Sequence, residues 1–204
     1  VGLTLSAERD KRKLIARILI EAKEMCRADG GTLYTLDDAG KHLVFEIVRS
    51  TSLGISFGEA AQVPFRPVPL FDEGGEENHK NVASHSVHER TSINIEDAYE
   101  APGFDFSGTK AFDAENNYRT QSVLTIPMLN QSDQVIGVLQ LLNAKDRTGE
   151  VVAFGEQLQS LVESLAAQAA AALDNLNLLA DQRKLMESFI KLIAAAIDAK
   201  SPYT

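Results

Sequence analysis

Ser122-Val123-Leu124-Thr125-Ile126-Pro127-Met128 and, after a turn, Val135-Ile136-Gly137-Val138-Leu139-Gln140-Leu141-Leu142-Asn143 decide the fold. Both runs are almost continuously apolar and lack the clean alternation of a strand with one wet face. Such strands sit in the middle of a sheet and are covered on both sides. Asn130-Gln131-Ser132-Asp133 supplies the turn between them. The strands are expected over 121–128 and 134–142, paired in an antiparallel sheet.

Working outward, residues 6–28 read as a helix, with Leu14, Ile15, Ile18, Leu19, Ala22, Met25 and Cys26 on one apolar stripe. Asp29-Gly30-Gly31 is expected to stop it, glycine suiting a left-handed cap. Thr32–Leu36 and His42–Ser50 read as a hairpin around Asp37-Asp38-Ala39-Gly40. Gly54–Asn78 is irregular; its prolines, Pro64, Pro67 and Pro69, belong on an edge strand or in a loop. A short helix is expected over 81–90, a short strand over 92–95 and a helical turn over 109–114. Asp146–Glu150 is a turn, and from Phe154 to about Ala199 the pattern is helical. The fold class is therefore α+β: an antiparallel sheet flanked by long helices at both ends.

The last helix carries a second pattern. Ala169, Ala172, Leu176, Leu179, Arg183, Met186, Ile190, Ile193 and Ile197 step alternately by 3 and 4, and all but Arg183 are apolar. This is heptad spacing. A helix of about 45 residues is about 68 Å long, more than a domain of this size can cover by itself. The stripe implies a parallel homodimer with Leu176, Leu179, Met186, Ile190 and Ile193 in its seam; packing within the chain is the alternative. Arg183 must snorkel out of such a seam and can fix its register.

Composition excludes several classes. Lys and Arg number 20 against 29 Asp and Glu, a net charge of −9, which leaves no basic face for nucleic acid. Trp is absent and aromatics are 6%, which argues against an aromatic cage. The single cysteine, Cys26, excludes an internal disulfide and a cysteine-rich zinc site. No run of about 20 apolar residues could cross a membrane, and Val1–Lys13 is not a signal peptide, so a cytoplasmic location without membrane contact is expected. Both ends read as cuts.

The strand pair resembles the two central strands of GAF domains. Ile93-Asn94-Ile95-Glu96-Asp97-Ala98-Tyr99 and Tyr118-Arg119-Thr120 are similar to the middle of that family, and Leu165-Ala166-Ala167-Gln168-Ala169-Ala170 to the start of its exit helix. Pro67-Val68-Pro69-Leu70-Phe71, Asn78-His79-Lys80-Asn81-Val82 and the tail Ala195–Thr204 resemble GAF domains that precede an HD-GYP cyclic-di-GMP phosphodiesterase. The resemblance implies an N-terminal helix over 1–29, a sensor core over 30–155, and a signalling helix over 156–204 leading to an effector beyond it. It implies a regulatory piece without catalysis of its own, holding a small molecule between the sheet and the middle helices. No covalent cofactor is expected, since Cys26 lies on an apolar stripe where a bilin could not attach. Cyclic-nucleotide-binding members carry an Asn-Lys, Phe, Asp-Glu signature. Asn143 and Phe154 match it, but Ala144 stands at the Lys place with Lys145 one late, and Leu158 and Gln159 replace the acids.

Other chemistry is weakly supported. His85 and His88, spaced i, i+3, could share a metal with Glu89 or Asp97, but no metal motif surrounds them, and a solvated or capping pair is the simpler reading. Asp72, Glu73, Glu76 and Glu77 lack calcium-loop spacing. Ser84 and Ser86 lie in no nucleophile elbow. The candidate ligand residues are Asp97, Tyr99, Tyr118, Arg119, Thr120 and Ser122. Arg119 suits a phosphate or carboxylate, or else a surface ion pair. Thr120 and Ser122 either bond the backbone or face the ligand. Two functions remain: a ligand-responsive regulator, or a dimerisation module whose pocket has collapsed. They differ in whether a cavity with convergent polar groups lies beside residues 95–120.

Overall fold

Buried strands need a cover on each face, and the chain supplies two covers of different kinds. The computed structural model describes residues 2–58 and 62–200. In order, these form α1 (Gly2–Cys26), β1 (Ala28–Leu36), β2 (His42–Ser50), β3 (Ile55–Phe57), β4 (Val68–Pro69), α2 (Val82–Glu89), β5 (Ile93–Ile95), α3 (Ser107–Asn116), β6 (Val123–Leu129), β7 (Val135–Lys145), β8 (Val151–Val152) and α4 (Glu156–Lys200). The sheet runs β3-β2-β1-β7-β6-β5, with β4 on β2 and β8 on β7, all antiparallel. The apolar runs that begin at Ser122 and Val135 are β6 and β7, adjacent and interior as expected.

Alternation along the strands divides the core. Leu33, Ile47, Leu124, Ile126, Met128, Leu139 and Leu141 face α1 and α4, where they meet Ile15, Ile18, Leu19, Ala22, Val162, Ala166, Ala169, Ala170 and Leu173. The small side chains of α4 let the helix approach closely. Each fully buried Leu or Ile contributes about 1.5–3 kcal/mol, so this layer is the main source of stability. Tyr34, Val138 and Val123 point the other way, toward α2 and the loops around it.

Four expectations from the sequence are corrected. Gly30 and Gly31 do not stop the first helix: α1 ends at Cys26, Arg27 takes the left-handed conformation (φ 50°), and both glycines lie inside β1. Gly31 is required by packing, because a Cβ there would lie 2.8 Å from Leu19 Cδ1 and 3.1 Å from Leu141 Cδ2. Met25 is exposed rather than on the buried stripe, whereas Cys26 is buried, and burial pushes its thiol up to about 11. The irregular stretch contains β3 and β4, with Pro69 opposite His42 where no ladder N–H is needed. β8, two residues long, follows the turn at Asp146–Glu150 and was not anticipated. The break expected at Ser201-Pro202 lies outside the described residues.

The end of β7 is joined to the start of β1 by the bond from Lys145 N to Arg27 O, and to β8 by its strand pairing. α1 therefore finishes where α4 begins, and the two helices pack antiparallel. Leu173 is the last fully buried residue of α4. Beyond it Leu179, Leu185, Met186, Phe189, Ile190, Leu192, Ile193 and Ile197 are all exposed, Leu185 to 74%.

Gly137 marks a close approach between β7 and β1, since a Cβ there would collide with Tyr34 O. Gly137→Ala should lower stability by about 1–3 kcal/mol, the usual cost of forcing atoms into a packed core. Gly108→Ala, which meets nothing within 4 Å, should be neutral or mildly stabilising in its helix. Urea denaturation of the two variants checks both; equal midpoints would contradict the packing role of Gly137.

Candidate functional site

The face of the sheet opposite α1 and α4 is not fully covered. A cavity of about 280 Å³ lies between it, the first turn of α2, α3 and the loop around Phe65. Its floor follows the strand register: Ser50, Gly30, Leu142 and Val123 form one row, and Val48, Thr32 and Gln140 the next. Asn81, Val82 and Ala83 of α2 and Phe106, Gly108, Thr109 and Phe112 around α3 form the far wall. Asn81 caps α2, accepting from Ala83 N (2.9 Å) and Ser84 N (3.2 Å), and so fixes that wall.

Aromatic rings line one side despite their scarcity in the sequence. Tyr34 and Phe45 meet tilted at 4.6 Å, Phe45 and Phe65 tilted at 5.4 Å, and Phe65 and Phe112 edge to face at 6.0 Å between centroids. A low aromatic content thus does not prevent rings from four separate parts of the chain converging on one side of the cavity. Polar groups stand among them. Gln140 Nε2 donates to Thr125 Oγ1 (2.9 Å) and its Oε1 accepts from Tyr34 (3.3 Å), while Arg49, Ser50, Tyr118 and Thr120 also reach the cavity.

Of the six candidates named from sequence, Tyr118 and Thr120 line the cavity. Of the other four, Asp97, Tyr99 and Arg119 hold one another beside it, and Ser122 bonds the backbone. Arg119 forms the surface ion pair: its Nη2 lies 2.7 and 3.0 Å from the two carboxylate oxygens of Asp97, and its guanidinium covers the Tyr99 ring at 3.8 Å. Ser122 is fully buried and its hydroxyl accepts from Ala144 N (3.1 Å), the backbone alternative. Tyr99 donates to Asp113 Oδ2 (3.0 Å).

Asp113, which the sequence reading overlooked, is the hub of this cluster. It is 1% exposed and also accepts from Thr120 N (2.7 Å) and Thr120 Oγ1 (3.0 Å). Tyr118 donates to Asp29 Oδ2 (2.9 Å) and accepts from Asn143 Nδ2 (2.9 Å). Asp29, also missed, further binds Lys145 Nζ (2.6 Å), Ser50 (3.1 Å) and Ser52. Nothing in local spacing marks Asp29 or Asp113, because their partners come from distant elements.

Residues 10–173 match the GAF domain family. The chain belongs to this family. GAF domains are small-molecule-sensing regulatory domains rather than catalytic ones. Over 187 residues the chain is 27% identical to the dual 3',5'-cyclic-AMP and -GMP phosphodiesterase 11A of Takifugu rubripes, covering 88% of this chain but 18% of that protein. Its fold is similar to that of a GAF domain/HD domain protein from Geobacter sulfurreducens (TM-score 0.58, 16% identity, 85% of this chain and 98% of that one). It is also similar to the GAF domain of PixJ from Thermosynechococcus elongatus (TM-score 0.61, 16% identity, 90% and 96%). Among the described residues no helix is long and apolar enough to cross a membrane.

The GAF signature positions are structural here. Asn143 is left-handed (φ 55°) and 2% exposed; its amide accepts from Gln121 N (2.7 Å) and donates to Arg119 O (2.7 Å) as well as Tyr118. Lys145 is the salt-bridge partner of Asp29. Phe154 is buried, and its carbonyl and the Gln159 side chain both accept from Asn94 (2.9 and 3.0 Å), so Gln159 still ties α4 to β5.

Burial alone would raise the Asp29 carboxyl, but the bonds from Lys145, Ser52 and Tyr118 outweigh it and hold the group down at about 2, against an ordinary 3.8. A carboxyl depressed by folding adds stability above its unfolded value, and that stability is lost as pH falls from about 4 toward 2. Asp29→Asn should therefore flatten this part of the acid limb of stability against pH. Urea midpoints measured across that range check it; parallel curves for the two proteins would contradict the assignment.

Proposed function

We propose that this GAF domain is a ligand-responsive regulator that signals through a pair of α4 helices to an effector on its C-terminal side. The observation that carries the sensor reading is the cavity of about 280 Å³, ringed by Tyr118, Thr120, Gln140, Thr32 and Arg49. A vestigial pocket, the premise of the dimerisation-module alternative, would have been filled by side chains. The volume is of the order that small-molecule pockets occupy, and the mixture of aromatic wall and polar rim suits a planar, hydrogen-bonding metabolite. The likeness to a phosphodiesterase that acts on cyclic AMP and cyclic GMP keeps cyclic nucleotides among the candidates, although the acidic half of the signature is absent.

The output reading rests on the exposed apolar residues of α4 at heptad spacing. A parallel partner helix from a second copy would cover Leu176, Leu179, Met186, Ile190 and Ile193 together. The proposed effector is an HD-GYP cyclic-di-GMP phosphodiesterase. Its support is the resemblance around Pro67–Phe71 and Asn78–Val82, together with the similarity to a solved GAF domain/HD domain protein. A ligand changes such an output only if it binds one packing of the helix pair better than another.

A thermal-shift screen of the purified chain against nucleotides and small metabolites tests the sensor reading. A true ligand raises the melting temperature, because it binds the folded state alone. Thr109→Trp, which puts an indole on the cavity wall, should abolish that shift. A screen without a responsive compound, or a response that survives Thr109→Trp, would favour the dimerisation module.

A further inference from the structure

We propose that His79, His85 and Glu89 form a binding site for one divalent transition-metal ion of the zinc class, on the side of α2 away from the cavity. None of the three lines the cavity, so the site stands independently of the sensor reading. The local backbone assembles it. The loop after β4 closes on itself through Asp72 N to Glu76 O (2.8 Å), Asn78 N to Leu70 O (2.8 Å) and a bridge between Phe71 and Glu77. His79 N then donates to Glu77 O (3.0 Å), and Asn81 starts α2 two residues later. His85 and Glu89, spaced i, i+4, share one face of α2, and the loop delivers His79 to that face.

The donor atoms are already gathered. His79 Nδ1 lies 2.9 Å from His85 Nδ1 and 3.8 Å from a Glu89 carboxylate oxygen, and one ligand atom from each residue falls within 4.8 Å of the others. In a tetrahedral site with metal–ligand bonds of about 2.0–2.2 Å, neighbouring donors are about 3.2–3.5 Å apart. Small side-chain rotations reach that arrangement. The fourth position faces solvent beside the exposed Glu89 and would take water.

A further carboxylate orients the first ligand. His79 Nε2 is 3.1 Å from Glu77 Oε2. An ionised carboxylate only accepts, so the ring proton of neutral His79 sits on Nε2 and Nδ1 presents its lone pair. The proton between the two rings is then that of His85 Nδ1. A metal ion takes its place while that proton moves to Nε2 of the same ring, and both histidines coordinate in neutral form. Histidine flanked by a metal and a carboxylate in this way is a recurrent arrangement of metal sites. Two imidazoles and a carboxylate favour zinc, cobalt, nickel or copper over magnesium or calcium. His88, the partner that helical spacing had offered to His85, is otherwise engaged: its Nε2 lies 2.7 Å from Leu70 O.

Calorimetric titration of zinc into the untagged, chelator-treated chain tests the site. One equivalent should bind, and His79→Ala and His85→Gln should each weaken binding at least tenfold. Glu77→Gln should weaken it by roughly tenfold or more, the usual effect of removing an orienting carboxylate, and His42→Ala should leave it unchanged. Long-range proton–nitrogen spectra of the unmutated chain need no variant: zinc should move the ring nitrogens of His79 and His85 and leave those of His42 in place. Absence of stoichiometric binding, retention of full affinity in His79→Ala and His85→Gln, or unmoved His79 and His85 ring signals would each overturn the proposal.

Discussion

The side-chain amide of Asn143 is the joint on which the cavity-bearing half of the molecule depends. It sits at a left-handed position late in β7 and gathers Gln121 N, Tyr118 and Arg119 O. Those partners belong to the segment that returns the chain from α3 to the sheet. Tyr118 passes the connection to Asp29 on β1, and Asp113 of α3 holds the same segment through Thr120 and ties it to Tyr99 in the loop before α3. Buried polar networks with their partners in place are stiff, and a half-satisfied one is costly. Such a frame can hold α3 away from the sheet. Protein interiors otherwise close to crystal-like density, so a cavity of this size needs a frame of that kind.

The opposite face follows a different logic. There the contacts are apolar and the requirement is close approach, met by Gly31 beneath Leu19 and by the run of alanines in α4. One sheet thus separates a dry, densely packed support from a polar-braced cavity. Two connections tie the cavity-bearing sheet to α4: the packed strands, and Asn94, which donates to Phe154 O and Gln159 at the root of the helix.

Much of this was legible in the sequence because it rests on periodicity. The interior strands, the hairpin over 32–50, the short α2 and the length of α4 all follow from runs whose apolar spacing suits one kind of element and no other. Gly30-Gly31 has two readings because glycine serves both as a helix stop and where a helix side chain presses onto a strand; only the distant Leu19 decides between them. The cavity wall was hidden for a related reason: Tyr34, Phe45, Phe65 and Phe112 share no spacing and meet only after the chain folds. For Arg119 the sequence leaves two readings, an anionic ligand or a surface ion pair, and the structure shows the ion pair, with Asp97. Likewise the histidine that faces His85 is the loop residue His79, which no helical repeat could indicate.

The proposed output through α4 rests on its C-terminal half, where Leu179, Met186, Ile190, Ile193 and Ile197 are exposed among the described residues. Multi-angle light scattering of the purified chain at tens of micromolar tests this most directly. The account predicts a dimer for the unmutated chain and a monomer when Leu179 and Ile190 are both replaced by Asp, since like charges would then be buried across the two-fold axis. A monomer before mutation, or a dimer that survives both substitutions, would contradict signalling through a paired α4.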